Sequence, residues 1–456
     1  MSELEKFGLL GVPLPEIINS YKYFGDFDAE IKAIDAYLGR EGLPEALRTR
    51  LELEKVIAEG MKKEFSVSEE EAFSWFCENY EDFKRETFEE MMNNGMLEWR
   101  YVKGVRHLSD SYRSSVSRKQ RELYAARKDR APYVRSEKVR LIHEAIDEMH
   151  ERGFCKRRIR IRQELSVNKM SERVGERIKV YLPFPAECDE QSDIILVASS
   201  HPCEIKKGGQ TCVYIDTVLK EDEVFFVEYE YTLCIRYKKI DYDRVSAEQP
   251  PFVEGMSGEL LPHIAFTPLI RETAKEICKS ETNPLKKARL IYDYVTRYLR
   301  YSFMREYLTF ENIPEFALTS TIGDCGVMAL LFITLCRASG IPAGWQSGLS
   351  VYPNRASSHD WATFYIEPFG KLYADLSGGE DADEKEDDIR HDHYFGNLDP
   401  YRMIANNAFQ VDFDPPSSFC RTDPYDNQSG EAEYNDRGLR AEELTRKKIL
   451  IEYKKI

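Results

Sequence analysis

No run of about 18 consecutive apolar residues occurs anywhere in the 456-residue chain, so no membrane-spanning helix is expected. The first residues, Met1-Ser2-Glu3-Leu4-Glu5-Lys6-Phe7-Gly8, lack a basic region followed by an unbroken apolar core and a small-residue cleavage site. The chain therefore reads as cytoplasmic. None of the 10 cysteines belongs to a Cys-x-x-Cys pair, a usage that fits neither a disulfide framework nor a structural zinc site. Positive charge is also short: 64 Lys and Arg against 80 Asp and Glu leave a formal charge of −16. That balance argues against nucleic acid or an anionic membrane as a partner. No internal repeat of 20 to 50 residues is present.

What is present is globular material, with 42% hydrophobic, 32% charged and 12% aromatic residues. The length is roughly three times the ~150 residues of one domain. Residues 1–133 are rich in Glu, Lys, Leu and Met with apolar positions at three- and four-residue intervals, as in Ala72, Phe76, Tyr80 and Phe83, and read as a helical region. Arg100 to Arg140 carries thirteen basic residues against Asp110, Glu122, Asp129 and Glu137, which reads as a face that neutralises acidic neighbours. In 134–250 a leading helix at Ser136–Met149 gives way to period-two segments, beginning with Ile159 and Ile161 between arginines, so a β-sandwich is expected. Gln249-Pro250-Pro251 reads as a linker. Residues 262–415 return to mixed patterning, with helices at Leu269–Lys279 and from Asn283-Pro284 onward. The second carries a stripe of Ala288, Ile291, Tyr292, Val295 and Leu299. Glu380 to His393 reads as an exposed acidic loop, with a cation site from its carboxylates, His391 and His393 as the lesser alternative. Residues 416–456 read as a polar C-terminal tail.

The segment Thr319 to Gly326 is small and turn-forming, and it leads into Val327-Met328-Ala329-Leu330-Leu331-Phe332-Ile333-Thr334-Leu335, a helix that must be buried on nearly all sides. Asp324 is placed to cap it, and Gly340-Ile341-Pro342 to end it. Cys325 thus opens a helix, where unpaired N–H groups and the helix dipole favour a thiolate and lower the thiol pKa. Cys336, three turns on, reads as core. Ser357 to Ile366 alternates as a strand with His359, Trp361, Thr363 and Tyr365 on one face, and Lys371 to Leu376 supplies a second strand carrying Asp375. In an antiparallel hairpin His359 lies opposite Asp375 only with a five-residue loop from Tyr365 to Phe369. A tight turn at Pro368-Phe369-Gly370 sets Asp375 opposite Thr363, ~13 Å from His359 along the strand. The wide loop is therefore the expected register. Taken singly, Cys325 is an ordinary small core residue, His359 a satisfied strand histidine and Asp375 a turn cap.

Together the residues resemble the transglutaminase-like branch of the papain-like thiol enzymes. Gly323-Asp324-Cys325, Gly340-Ile341-Pro342-Ala343, His359-Asp360-Trp361 and Asp375 occur in that family's order, within about 284–377. Thr363 stands where members often have an acidic residue, and Gly344 where they often have arginine. The resemblance implies an α+β protein in which a papain-like domain, with a central helix packed on an antiparallel sheet, follows the helical region and the sandwich. It also implies a Cys325–His359–Asp375 triad: thiolate nucleophile, acid–base and ring orienter. Trp361, Tyr301 and Asp324 are the substrate-binding candidates, with Tyr301 also a candidate second oxyanion donor beside the Cys325 backbone N–H. No metal or organic cofactor is required. The readings are a thiol hydrolase acting on a peptide or protein amide, an acyltransferase that resolves the same thioester with an amine, or a non-catalytic binding module. In each, the N-terminal region is free to dock a protein partner or self-associate.

Overall fold

Residues 3–119, 126–128, 137–246, 248–383, 386–421 and 423–456 are described by a computed structural model. The N-terminal region is helical as its periodicity requires, with long elements at Phe27–Leu38 and Glu45–Glu64. The stripe Ala72, Phe76 and Tyr80 is fully buried. A small sheet interrupts the helices: β1 (Val67–Ser68), β2 (Trp99–Val102) and β3 (Val105–Leu108). The β2–β3 turn is Lys103-Gly104, both at positive φ, a conformation that favours glycine. Of the basic stretch 100–140, residues 120–125 and 129–136 lie outside the described residues. Arg106, within it, pairs with Glu69 and Glu89, but from a strand and not from a helix.

The middle of the chain is a two-layer sandwich. The long strands are β4 (Phe154–Val167), β5 (Arg177–Pro183), β6 (Gln191–Ser199), β8 (Cys212–Val218) and β9 (Val224–Arg236), with a short β7 (Glu204–Lys206). Along β4 burial alternates strictly: Ile159 and Ile161 face the core, while Arg158 and Arg160 pair across the strand with Glu230 and Glu228. The helix Glu137–Arg152 lays Ile142, Ile146 and Met149 on the same core.

In the C-terminal half, β10 (Arg300–Tyr301) and β11 (Ile322–Gly323) form a short parallel pair. The main sheet is antiparallel in the order β14-β13-β12-β15, comprising β12 (Ala343–Tyr352), β13 (Arg355–Ile366), β14 (Gly370–Ala374) and β15 (Arg402–Asn406). The central helix Cys325–Ala338 packs against β12 and β13, flanked by the helices Pro268–Cys278, Pro284–Tyr298 and Ile313–Ser320. Asn283 caps the second of these flanking helices through its side-chain oxygen, and its stripe is buried. The sandwich and the main sheet share one continuous core. Gln249, expected in a linker, is pinned to the β13–β14 loop by bonds with the Glu367 backbone.

Two expectations are corrected. The segment read as an acidic loop contains the helices Leu376–Asp383 and Asp388–His393, with Arg390, His391 and His393 buried. Among the described residues no group of three or more His, Cys, Asp or Glu is placed to hold a metal ion. The segment read as a polar tail supplies β16 (Glu431–Tyr434), which pairs with β5, and β17 (Leu444–Lys455), which pairs with β4. Its polar composition is that of a charged edge strand with one face in solvent. No helix of the described residues is long and apolar enough to cross a membrane, and no disulfide joins cysteines of the described residues.

Residues Gly326 to Cys336 of the central helix are buried on every side, and Phe332 packs edge-on against Phe364 of β13 with centroids 5.8 Å apart. Phe332→Ala is expected to lower stability by about 3–5 kcal/mol through lost burial and the cavity left behind. Urea unfolding checks this; a loss under ~1 kcal/mol would mean the helix is not enclosed as described.

Candidate active site

The site begins where the central helix starts. Asp324 Oδ1 accepts the Val327 N–H at 3.0 Å and the Tyr307 hydroxyl, so this carboxyl closes the helix end and ties it to the segment after β10. Gly326 makes that closeness possible. A Cβ there would lie 2.2 Å from the Tyr307 hydroxyl and 2.9 Å from Asp360 Oδ2. Cys325, half-buried, stands at the wall of a cavity of about 830 Å³ that His359 and Asp375 also line.

The register of the β13–β14 hairpin differs from both alternatives weighed from the sequence. Ile366 pairs with Gly370 and Ala362 with Ala374, so Glu367, Pro368 and Phe369 form the loop. Continued one step, the ladder would set Asp375 against Trp361, two residues short of His359. The five-residue loop is not needed, because β14 ends at Ala374 and Asp375 leaves the ladder, its N–H bonding to the Tyr394 carbonyl at 3.2 Å. Freed from the pleat, its carboxylate reaches the diagonal neighbour: His359 Nε2 to Asp375 Oδ2 is 2.8 Å.

Asp375 is held from several sides. Its Oδ1 accepts the Gly378 N–H at 2.9 Å, and its Oδ2 also receives Arg402, whose guanidinium bridges to Asp399 at 3.0 Å. Burial works against the charge, but His359 and Arg402 outweigh it and hold Asp375 well below the usual carboxylate range. Arg402, 2% exposed and with its positive charge favoured by Asp399 and Asp375, is thus the counter-ion of the buried pair. Burial lowers the His359 pKa, with Asp375 opposing and Arg402 adding to the fall, so the ring rests neutral near pH 7.

Cys325 does not meet His359 in this arrangement. The β13 pleat sends the two neighbours His359 and Asp360 to opposite faces, and the thiol donates to Asp360 Oδ2 at 3.2 Å. Gln428 holds the other oxygen of that carboxyl. The expectation of a lowered thiol pKa is corrected here: burial, then the Asp360 and Asp324 carboxyls, push it well above its ordinary value. A helix N-terminus favours thiolate by up to ~2 kcal/mol, and two adjacent carboxyls in a poorly hydrated site outweigh it. Burial raises Asp324 to about 6, and burial together with Asp324 raises Asp360 to about 7.

Of the substrate-binding candidates, Tyr301 and Asp324 line the cavity. Trp361 does not: it is fully buried, with its indole N–H on Gln346 Oε1 at 2.9 Å and Arg402 over its ring at 5.5 Å. The cavity is faced instead by Trp345. Sequence reasoning also missed Asp360, Arg402, Asp399, Tyr307 and Gln428. Only Asp360 left a signal: strand alternation puts it on the face of Ala362 and Phe364, which pack toward the central helix.

A carboxyl raised on folding is bound to its proton in the native state across a window where the unfolded chain has lost it. For Asp360 that window runs from ~4 to the folded value of about 7, and stability falls as pH rises through it. Asp360→Asn is therefore expected to stabilise the protein by about 1–3 kcal/mol at pH 8 and not at pH 4.5. Urea midpoints at the two pH values check this, and equal effects would contradict the raised carboxyl.

Residues 271–376 match the model of the transglutaminase-like superfamily. Among curated proteins, an uncharacterized protein of Haemophilus influenzae is 24% identical over 185 residues, which are 34% of this chain and 50% of that protein; the match therefore spans half of the relative's length. Among solved structures, a "Putative Cysteine Protease" from Cytophaga hutchinsonii covers 66% of this chain and 90% of its own at 15% identity, with a TM-score of 0.39. The periplasmic domain of TgpA from Pseudomonas aeruginosa covers 54% and 95% at 13% identity, with a TM-score of 0.30. The likeness of this chain to the transglutaminase-like superfamily thus lies in residues 271–376, the stretch that carries Cys325, His359 and Asp375.

Proposed function

We propose that the protein is a cytoplasmic cysteine-dependent hydrolase that cleaves a peptide or amide bond through a thioester on Cys325. The observation that carries this is the placement of a nucleophile and an oriented base on the walls of one cavity. Cys325 opens the central helix, and His359 is tied by Nε2 to an Asp375 kept ionised by Arg402. With Nε2 committed to the carboxylate, Nδ1 is the ring nitrogen that exchanges a proton with the thiol.

Catalysis in this reading starts from a resting thiol bonded to Asp360. The thiol leaves Asp360 and gives its proton to His359 Nδ1. Sulfur attacks the amide carbonyl carbon, and the oxyanion takes up the Cys325 backbone N–H. As the C–N bond breaks, the imidazolium protonates the departing amine. Water, deprotonated by the same ring, then attacks the thioester, releasing the acid and restoring the thiol. Asp375 keeps the ring in the required tautomer throughout and Arg402 acts only through Asp375.

Digestion of a mixed peptide library, with new carboxyl and amino ends read by mass spectrometry, tests the proposal. Cleavage is expected to disappear in Cys325→Ala and to fall by at least ~10³-fold in His359→Ala. A covalent acyl adduct on Cys325 is expected in quenched samples. With a glutamine peptide and excess methylamine, acid is expected as the main product. Incorporation of the amine in its place, or cleavage that survives Cys325→Ala, would defeat the hydrolase reading.

A further inference from the structure

The cavity is electrically lopsided. Its His359 end holds cations already matched to carboxylates: Arg402 with Asp375 and Asp399, and Arg390 with Asp381 and Asp387. Its Cys325 end holds carboxyls with no such match. Asp360, Asp423 and Asp426 are close enough to perturb one another, and Asp324 adds its charge to theirs. Among the described residues none of the four makes an ion pair.

The basic groups nearby, Arg421, Arg446 and Lys448, act on these carboxyls by charge but form no ion pair with them among the described residues. Arg421 forks onto Glu431, Lys448 Nζ lies on the Ser358 and Ser429 hydroxyls, and Arg446 Nε bonds the Gly430 carbonyl. Asp423 receives the backbone N–H groups of Tyr425 and Asp426. Asp426 is 3% exposed and lines the cavity beside Asp360 and the Ser347 hydroxyl, and its Oδ2 has no hydrogen-bond partner among the described residues. A buried carboxylate oxygen without a donor carries an unrecovered desolvation cost, which a fold retains where an external donor completes the site.

Aromatic rings stand beside these carboxyls. Tyr425 stacks on Phe409 at 5.0 Å with planes 7° apart, and Tyr307 and Trp345 complete the lining. Carboxylates next to aromatic rings are what a guanidinium or ammonium binds, by charge-assisted hydrogen bonds and cation–π attraction. A bare divalent ion fits less well, since among the described residues no three such ligands converge on one point.

We infer that the Cys325 end of the cavity is a subsite for a cationic side chain, an arginine or lysine, carried by the substrate beside the scissile amide. The inference rests on the hydrolase reading for the word substrate, but the subsite itself does not. It also supplies what the resting site lacks. The thiol sits 3.2 Å from Asp360, so a cation on that carboxyl neutralises the charge that opposes thiolate and releases the sulfur toward His359. The groups facing Cys325 are then Asp324 and Tyr307 from its own side and Asp360 from β13, with Asp423 and Asp426, from the segment before β16, acting on Asp360 in turn. Selectivity and activation become one event.

Calorimetry on Cys325→Ala separates binding from chemistry. Nα-acetyl-arginine methylamide is expected to bind at least about tenfold more tightly than its neutral isostere Nα-acetyl-citrulline methylamide, and the difference is expected to vanish in Asp426→Asn. In the wild-type protein the pH midpoint of Cys325 alkylation by iodoacetamide is expected above ~8.5, and to fall by about one unit or more with the arginine compound but not with the citrulline one. Equal binding of the two compounds, or equal midpoints, overturns the subsite. The wild-type comparison stands even if Asp426→Asn fails to fold, and Asp423→Asn provides a second variant. Selective binding without any amide cleavage would retain the subsite and remove the hydrolase, whereas cleavage indifferent to arginine would do the reverse.

Discussion

A helix that is apolar all the way round has to be enclosed, and the rest of the C-terminal half is arranged by that demand. Residues Gly326 to Cys336 leave no polar face, so β12 and β13 cover one side and three helices cover the others. Enclosure along the barrel of the helix leaves only its ends free to meet solvent. The C-terminal end is closed by Ser339 and by Gly340 at φ 81°. The N-terminal end, with Asp324 and Cys325, is the one that opens on the cavity. The position of the thiol is thus a consequence of packing before it is a matter of catalysis.

The same enclosure decides the charges. Asp360 and Asp375 lie on the same hairpin, both largely removed from water, yet they end in opposite states. Asp375 has Arg402 and the Gly378 N–H and stays ionised. Asp360 is buried with a thiol, an amide and carboxyl neighbours and forms no ion pair among the described residues, so it is raised to about 7. Neighbouring carboxyls are thus pushed to opposite ends of their range by their surroundings. The charged one holds the His359 ring, and the raised one holds the Cys325 thiol.

Local features were legible in the sequence. The caps at Asn283 and Asp324, the stripe from Ala288 to Leu299, the all-round apolar helix and the alternation of β4 follow from neighbours a few residues apart, and each is present. Features set by distant pairing were not. The His359–Asp375 bond depends on a three-residue loop and on Asp375 leaving its ladder, which periodicity alone does not encode. Arg402 and Asp399 act from β15 and the loop before it, joined to the site only through the pairing of β15 with β12. Trp361 looked like a groove residue because it shares a face with His359, but the same face is roofed further along by Arg402 and Gln346. Composition misled at the C-terminus, where a Lys-rich edge strand has the same residue content as a solvated tail.

One wall of the cavity is backed by the N-terminal region and another is formed by the segment leading into β16. The segment after β10 that lines the cavity, from Phe303 to Tyr307, is held on its far side by that region. Arg305 pairs with Glu98, the Ser111 hydroxyl bonds the Phe303 carbonyl, and Leu308 lies in the N-terminal core with Phe27, Ile57 and Phe65. On the opposite wall, Asp423 to Glu431 is anchored by β16 in the sandwich. A groove assembled from three parts of the chain has walls no stiffer than the contacts between those parts. Tyr307 bonds the Asp324 cap and also packs against Tyr425, with centroids 6.2 Å apart. Tyr307 therefore joins the start of the central helix both to the segment backed by the N-terminal region and to the segment leading into β16, so the surroundings of the thiol depend on how all three are packed.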